Sequence, residues 1–420
     1  MSEHTEHTGD DHGHSGSAHG SGAHHELTDS LRLNKADLGL STKAFAVGGI
    51  ALGLAVVLGG GPFGKQFQHS YLTAYMWGFS IALGALWWVT LQHLVNARWS
   101  IVVRRLAELM AQGVVPMAIL SLPLLVPVLT HNDTLFSWLD HEKLHHARSK
   151  EVYLNPSFFI ARMAFYFVFF IGLAAFWLKK SREQEKGGGV ELTKRLQSTS
   201  APTMIVLALT ITFCAIDFLM TLDPIWFSTI FGVYYFTTCV LTFHSTLALF
   251  AMWLQKKGHV TSAVTTEHYH DIGKMMFAFI AFWTYIGFSQ FMLIWYANIP
   301  EETHWFKDRL EGSWLPASLI LAATHFVIPF FGMMSREIKR NKTTLRFWAI
   351  WILVVCWFDM YWLVAPNLHK HGMAIGATDI LSWIGVAGLL MGYVLLRAKD
   401  TTLIPTGDPR LGRSLSFQNI

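Results

Sequence analysis

The stretch FCAIDFLMTLDPIWFSTIFG (213–232) sets two carboxylates, Asp217 and Asp223, in an apolar run. An ionised carboxylate in the middle of a bilayer costs roughly 2.5–3.5 kcal/mol on insertion scales, so such residues face a protein interior and act there. A second carboxylate, Asp359, repeats the setting in CWFDMYWLVAP (356–366). Histidines accompany them in other apolar stretches: His93, His244 and His325. Histidine exchanges protons near neutral pH, and intramembrane carboxylates are its usual partners. The chemistry these types could do together is proton relay through a protein interior. The plain alternative is a set of satisfied helix–helix hydrogen bonds.

The elements that must position these residues follow from composition. The chain has 420 residues, 52% hydrophobic and only 14% charged, against about a quarter charged in a soluble domain. It reads as an all-α integral membrane protein. Ten apolar segments meet the length of about 20 residues that a spanning helix needs. They fall near 42–61, 72–95, 106–129, 156–178, 201–222, 228–254, 273–297, 314–334, 346–365 and 376–396. The third is hardest to start, because Arg104, Arg105 and Glu108 intrude. Lys and Arg divide 22 to 7 in favour of the side that carries both termini. The positive-inside rule places that side, and both termini, in the cytoplasm. The N-terminal 40 residues are polar and His-rich, with no signal-peptide pattern. The tail MSEHTEHTGDDHGHSGSAHGSGAHH is too polar to build a core and reads as disordered, with metal binding as a side possibility of its histidines. KKSREQEKGGG (179–189) reads as a flexible cytoplasmic loop.

Two stretches echo each other. CAIDFLMTLDP (214–224) and CWFDMYWLVAP (356–366) both read Cys-x-x-Asp, six residues, Pro, at an offset of 142 residues. This divides the chain into two four-helix bundles, helices 2–5 and 6–9, with two peripheral helices. The expected organisation is a tail (1–41), peripheral helix 1 (42–70), bundle I (71–224), bundle II (225–366), then helix 10 with a cytoplasmic tail (367–420). His93 and His244 occupy matching helices of the two units but miss superposition by about one turn.

On this plan Asp217 and Asp359 lie in the outer third of the membrane. Arg162 lies about 10 Å inside the same side and is the expected partner of Asp217. Gln290 and Tyr285 extend this set, and Asp223 with Pro224 ends the fifth helix at the outer surface. A second set, His93, Glu108, His244, Asp271 and Lys274, lies toward the cytoplasm, with His325 at mid-depth between the two. Two other patterns carry less. HEKLH (141–145) fits H-E-x-x-H, but it sits in a short polar loop followed by His146, where adventitious metal binding outranks zinc catalysis. His244 and His325 could pair as haem ligands, yet no Gly-lined slot flanks them. The three cysteines form no CxxC or CxxCH, which argues against a structural zinc, a covalent haem or an iron–sulfur cluster held by this chain.

The stretches DFLMTLDPIWFSTIFGVYYF (217–236) and HDIGKMMFAFIAFWTYIGFSQFMLIWYANIPEET (270–303) resemble one family. They are similar to the F subunit of bacterial alternative complex III, a quinol:cytochrome c oxidoreductase, within the polysulfide-reductase (NrfD-like) membrane-subunit group. The likeness covers most of the membrane region and leaves out the His-rich tail. It implies two four-helix bundles with flanking helices, in the bacterial inner membrane. It implies a subunit that binds no cofactor itself, in a complex that oxidises menaquinol or ubiquinol. Haem c and iron–sulfur clusters would sit on partner subunits. The implied partners are a larger homologous membrane subunit, an iron–sulfur subunit, c-type haem subunits, a terminal oxidase and membrane lipid, with no nucleic acid. The positions carried over as a proposed proton path are Asp217, Asp223, His244, Gln290, His325 and Asp359; the residues themselves add His93, Glu108 and Lys274. A quinone slot, if this chain has one, is expected near Arg162, Asp217 and His325. A secondary transporter is the alternative, with Pro116, Pro123 and Pro127 as the best sign of an interrupted helix. A purely structural anchor is a third reading, and it leaves the buried carboxylates unexplained.

Overall fold

The computed structural model describes residues 31–140, 142, 148–187, 189–370 and 372–419. The His-rich stretch 1–30, most of HEKLH (His141, Lys143, Leu144 and His145) and the following His146 lie outside the described residues. Regular structure among the described residues is helical. In a bilayer every backbone polar group must be satisfied within the protein, and a helix does this within one segment. Among the described residues ten helices are long and apolar enough to cross a membrane: α1 (Gly39–Leu58), α2 (Lys65–Leu94), α3 (Ile101–Leu129), α4 (Pro156–Gln184), α5 (Gly189–Leu222), α6 (Phe231–Lys256), α7 (Thr266–Ala297), α8 (Trp314–Gly332), α9 (Lys342–Asn367) and α10 (Ala377–Ala398). This is the helix content of a multi-pass membrane protein.

The helices outrun the apolar stretches that locate them. α4 and α5 together absorb most of the expected loop 179–189, leaving only 185–188 between them. KKSREQ is rich in good helix formers, and its long charged side chains can reach water from a helix end, so hydropathy underestimates the helix. Local signals fix several starts. Asn155 caps α4 by accepting a hydrogen bond from the Phe158 N–H at 2.9 Å, with Pro156 at the first helical position. Asn341 caps α9 through the Thr343 N–H at 2.8 Å.

α3 and α8 are interrupted well inside their spans. α3 is made of three pieces, Ile101–Ala111, Val114–Leu120 and Leu122–Leu129, with Pro116, Pro123 and Pro127 in the last two. Proline removes an amide donor and crowds the preceding turn. α8 contains a π-helical turn at Ala323–Val327, just before Pro329. His325 lies within this turn, and such turns are frequent at functional sites.

α2 and α6 lie at the centre. α2 is buried along almost its whole length, and it packs against α3, α5, α6, α9 and α10. Its approach to α6 is close enough that a Cβ on Gly84 would stand 2.0 Å from the Cys239 carbonyl oxygen. Two cross-bonds tie the pair: Tyr235 Oη donates to the Met76 carbonyl at 2.8 Å, and the Ser80 and Thr242 hydroxyls meet at 2.8 Å. α1 and α10 form an outlying pair with a glycine seam. A Cβ on Gly388 would stand 2.9 Å from the Ala44 carbonyl, which is the close packing small residues allow between membrane helices.

The C-terminal segment folds back over the termini-bearing end. Arg104 Nη2 donates to Asp408 Oδ2 at 2.7 Å, and Arg105 Nη2 to Glu185 Oε1 at 2.8 Å. Thr402 Oγ1 also donates to Glu185, and the Leu403 N–H donates to the Leu31 carbonyl. The charges that obscured the start of α3 are therefore buried and answered. Burial pushes the Asp408 carboxyl up, but hydrogen bonds from Arg410 and the charge of Arg104 outweigh it and hold the group below the usual carboxylate range.

Two outcomes follow. Gly84→Leu should force α2 and α6 apart at an overpacking cost of about 1–3 kcal/mol or more, read as a lower Tm in detergent. Asp408→Asn should free the C-terminal segment to added protease at pH 7. In the wild type that contribution is complete above about pH 4, near the ordinary aspartate value, and fades as pH falls further toward the depressed folded value. Protection of the tail should therefore be flat from about pH 8 to about pH 4 and weaken only below that.

Candidate functional site: two buried carboxylate centres

Asp217 lies near the end of α5, fully buried. Arg162 of α4 grips it with two guanidinium nitrogens, Nε to Oδ2 at 2.8 Å and Nη2 to Oδ1 at 2.9 Å. Tyr166, one helical turn along α4, donates to Oδ2 at 2.8 Å. The remaining nitrogen, Nη1, donates to the Tyr153 carbonyl at 2.9 Å, and the guanidinium lies 3.8 Å from the Tyr153 ring centre. This is a two-pronged, charge-assisted pair with cation–π support. The expected partner is thus the one present. Arg162 and Tyr166 reach the same carboxylate because i and i+4 positions share a helix face.

Asp359 lies in α9 in a different electrostatic setting. Tyr234 Oη of α6 donates to Oδ1 at 2.5 Å. Trp283 Nε1 of α7 donates to Oδ2 at 3.1 Å, and Thr238 Oγ1 of α6 reaches it at 3.3 Å. All three donors are uncharged. Among the described residues no Lys or Arg pairs with Asp359. His325 stacks on Trp283 with ring centres 3.7 Å apart, and its Nε2 lies 3.7 Å from Cys356 Sγ. His325 Nδ1 is buried without a partner. The two echoed aspartates therefore share burial but not counter-charge.

A line of hydroxyls runs along α6 from Asp359. Tyr234, Thr238, Thr242 and Thr246 recur every four residues, so they share one face. Ser80 of α2 meets Thr242, and Thr246 Oγ1 donates to the Thr242 carbonyl at 2.8 Å. Sequence reasoning missed Tyr234, Thr238 and Trp283. The four-residue spacing of hydroxyls in YYFTTCVLTFHST (234–246) was the available signal.

The other expected residues are dispersed. His244 Nδ1 bonds the Val240 carbonyl at 2.8 Å and its Nε2 is unpartnered, beside Trp88. His93 stacks on Trp177 at 4.7 Å, also with Nε2 unpartnered. Glu108 is fully buried, 3.3 Å from Arg104 Nε and 2.9 Å from Arg105 Nε, and belongs to the clamp on the C-terminal segment. Asp223 accepts from the Ile225 and Trp226 N–H groups and pairs with His304 Nε2 at 2.6 Å, on the short helix Pro300–Lys307. His304 was not anticipated. Lys150 Nζ donates to the Pro224, Ile225 and Trp226 carbonyls beside it.

Three expectations need correction. Lys274 does not enter the interior: it is exposed, pairs with Asp271, and donates to Asn419 Oδ1 at 3.0 Å. It stands two turns into α7, where a lysine reaches water. Tyr285, grouped with Gln290, turns outward at 65% exposure. Trp283, Ile286 and Gln290 mark the buried face of α7, and two residues from Trp283 is about 200° round the helix. Arg162 and Asp217 come together, but His325 makes its contacts with Trp283 and Cys356, so the three do not form one slot. Among the described residues no group of three His, Cys, Asp or Glu side chains is placed to hold a metal ion.

Compared with known proteins, the chain matches no family model and no curated protein.

The Asp217 pair has a direct test. Arg162→Gln should leave a buried carboxylate unpaired and destabilise the fold by about 3–5 kcal/mol. Adding Asp217→Asn should recover part of that loss, since the two changes remove one interaction. A double-mutant cycle on thermal unfolding in detergent reads the coupling; simple additivity would mean the pair contributes nothing.

Proposed function

We propose that this chain is a cofactor-free membrane subunit of a respiratory quinol:cytochrome c oxidoreductase of the alternative complex III kind, and that its interior conducts protons. The sequence resemblance supports the first part; the observation that carries the second is Asp359, a fully buried carboxylate met only by uncharged donors, at the head of a hydroxyl stripe on α6. Intramembrane carboxylates so placed mark proton relays. The proton would be held between Asp359 Oδ1 and Tyr234 Oη, the shortest of the three contacts. Thr238, Thr242 and Ser80 would carry it along α6 with water between hydroxyls that do not touch directly. Asp217, gripped by Arg162 and Tyr166, would anchor α4 to α5 beside the route. His244 and His93, each with a ring nitrogen unpartnered, would lie toward the termini-bearing end.

On this reading helices 2–5 and 6–9 are two related bundles, α1 and α10 flank them, and both termini face the bacterial cytoplasm. Menaquinol or ubiquinol is the reductant of the complex. Iron–sulfur clusters and haem c belong to partner subunits, alongside a larger homologous membrane subunit and a terminal oxidase. One observation favours a second reading. The three-piece α3 and the π-turn in α8 are helix interruptions of the sort that line substrate sites in secondary transporters.

A haem difference spectrum on the protein purified by an affinity tag from its native membranes separates the two. A c-type spectrum is expected, contributed by partners, because this chain has no CxxCH. A haem-free preparation under conditions that keep membrane complexes intact would sink the respiratory reading and favour the transporter.

A further inference from the structure

A chamber of about 350 Å³ opens between α6, α7, α8, α9 and the short helix Pro300–Lys307. Its volume is at the lower end of the range for small-molecule sites, roughly 300–1,000 Å³. Its walls are nearly all apolar and strongly aromatic, with Trp283, Trp305, Phe326 and Trp362 among them. Phe288, Leu319 and Val327 line it and are also exposed, at 60%, 63% and 46%, so its mouth lies on the flank between α7 and α8. Mid-helix residues of membrane-spanning helices open to the outside here, so this mouth is placed at the depth of the bilayer. A molecule entering there comes from the bilayer.

Two polar side chains in the wall have hydrogen bonds left unmade. Gln290 is buried and its amide Nε2 has no partner. Arg309 is buried, and its Nε likewise has none. Its other nitrogens donate to the Trp305 carbonyl at 2.9 Å and the Leu363 carbonyl at 2.8 Å, while the guanidinium stacks 3.4 Å from the Trp305 ring centre. Among the described residues no carboxylate forms an ion pair with it. A buried donor without an acceptor is costly, so two in one chamber wall call for an acceptor oxygen from elsewhere. A second apolar chamber of similar volume, lined by Trp77, Leu249 and Leu390, has no such orphan donor in its wall. Volume and apolarity alone therefore do not single out the first.

We infer that this chamber binds the head ring of an isoprenoid quinone, with a ring carbonyl toward Gln290 and Arg309 and the tail leaving between α7 and α8. Flat aromatic walls suit a flat ring. Two unmet donors suit a carbonyl oxygen. A lipid-side mouth suits a bilayer-soluble tail. The choice of a quinone among flat carbonyl compounds rests on the respiratory reading. The site differs from the one expected near Arg162 and Asp217. Its wall includes Tyr234 and Trp283, the same two side chains that hold Asp359, so a bound ring would lie one side chain away from the proposed proton route.

The test uses the full-length protein in its native membranes and a photoreactive azidoquinone with a short isoprenoid tail. Label is expected on peptides covering 283–291 and 305–310, and excess menaquinone or ubiquinone should compete it away. Ala322→Trp, at the exposed rim, should plug the mouth, and Gln290→Leu should remove one donor; each should lower labelling about tenfold, worth about 1.4 kcal/mol of binding. Unchanged Tm in both variants controls for folding. Label elsewhere, or labelling indifferent to both variants, would overturn the inference. So would a photoreactive phospholipid that marks these peptides and is not displaced by quinone. Labelling needs no turnover. Specific label on a haem-free preparation would keep this site and reject the respiratory complex, and haem without label would do the reverse.

Discussion

A carboxylate inside a bilayer has no water to solvate it, and the interior of this protein is arranged around that constraint. Asp217 meets it with a full counter-charge, Arg162, and with the Tyr166 hydroxyl. Asp359 meets it with three neutral donors drawn from two other helices. Neither solution works unless α4, α5, α6, α7 and α9 hold fixed rotations and depths. In a low-dielectric interior an unpaired polar group is expensive, so these contacts specify the packing as much as they are supported by it.

That packing depends in turn on close backbone approach at the centre. Gly84 lets α2 lie against the Cys239 carbonyl of α6, which brings Ser80 to Thr242 and Tyr235 to Met76. α6 then presents one face of hydroxyls toward α2 and α9. The same helix carries Tyr234, which touches both Asp359 and the aromatic chamber. Structure near the termini is held differently, by the buried Arg104, Arg105, Glu108 and Asp408 charges, with Glu185 at their edge, that fasten the C-terminal segment. Ion pairs therefore act at both ends, Arg162 with Asp217 at one and the Arg104, Arg105, Glu108 and Asp408 set at the other, while Asp359 is held by neutral donors alone.

Much of the helix plan was legible because hydropathy reports directly what lipid demands. All ten apolar segments correspond to long helices, and the Arg162–Asp217 partnership could be anticipated from sign and depth alone. Helix ends were less legible: charged, helix-favouring runs such as KKSREQ extend α4 beyond the apolar stretch. Side-chain direction was least legible. Trp283 and Tyr285 differ by two positions on one helix, yet one binds Asp359 and the other faces outward. Reading which one turns inward needs the rotation of α7 against α6 and α9, and a single sequence carries that only through patterns such as the four-residue spacing of Tyr234, Thr238 and Thr242. The orphan donors of Gln290 and Arg309 depend on what several helices and a loop leave unfilled, and no local pattern encodes that.

The proposed proton role is tested first by proton release during quinol oxidation in sealed native vesicles that carry the proposed complex, with wild-type protein and Asp359→Asn compared and electron transfer followed in parallel. The variant is expected to assemble but to release fewer protons per electron, because the carboxylate held only by neutral donors is gone. Equal proton release per electron at equal turnover would contradict it and would make Asp359 a structural tie between α6, α7 and α9.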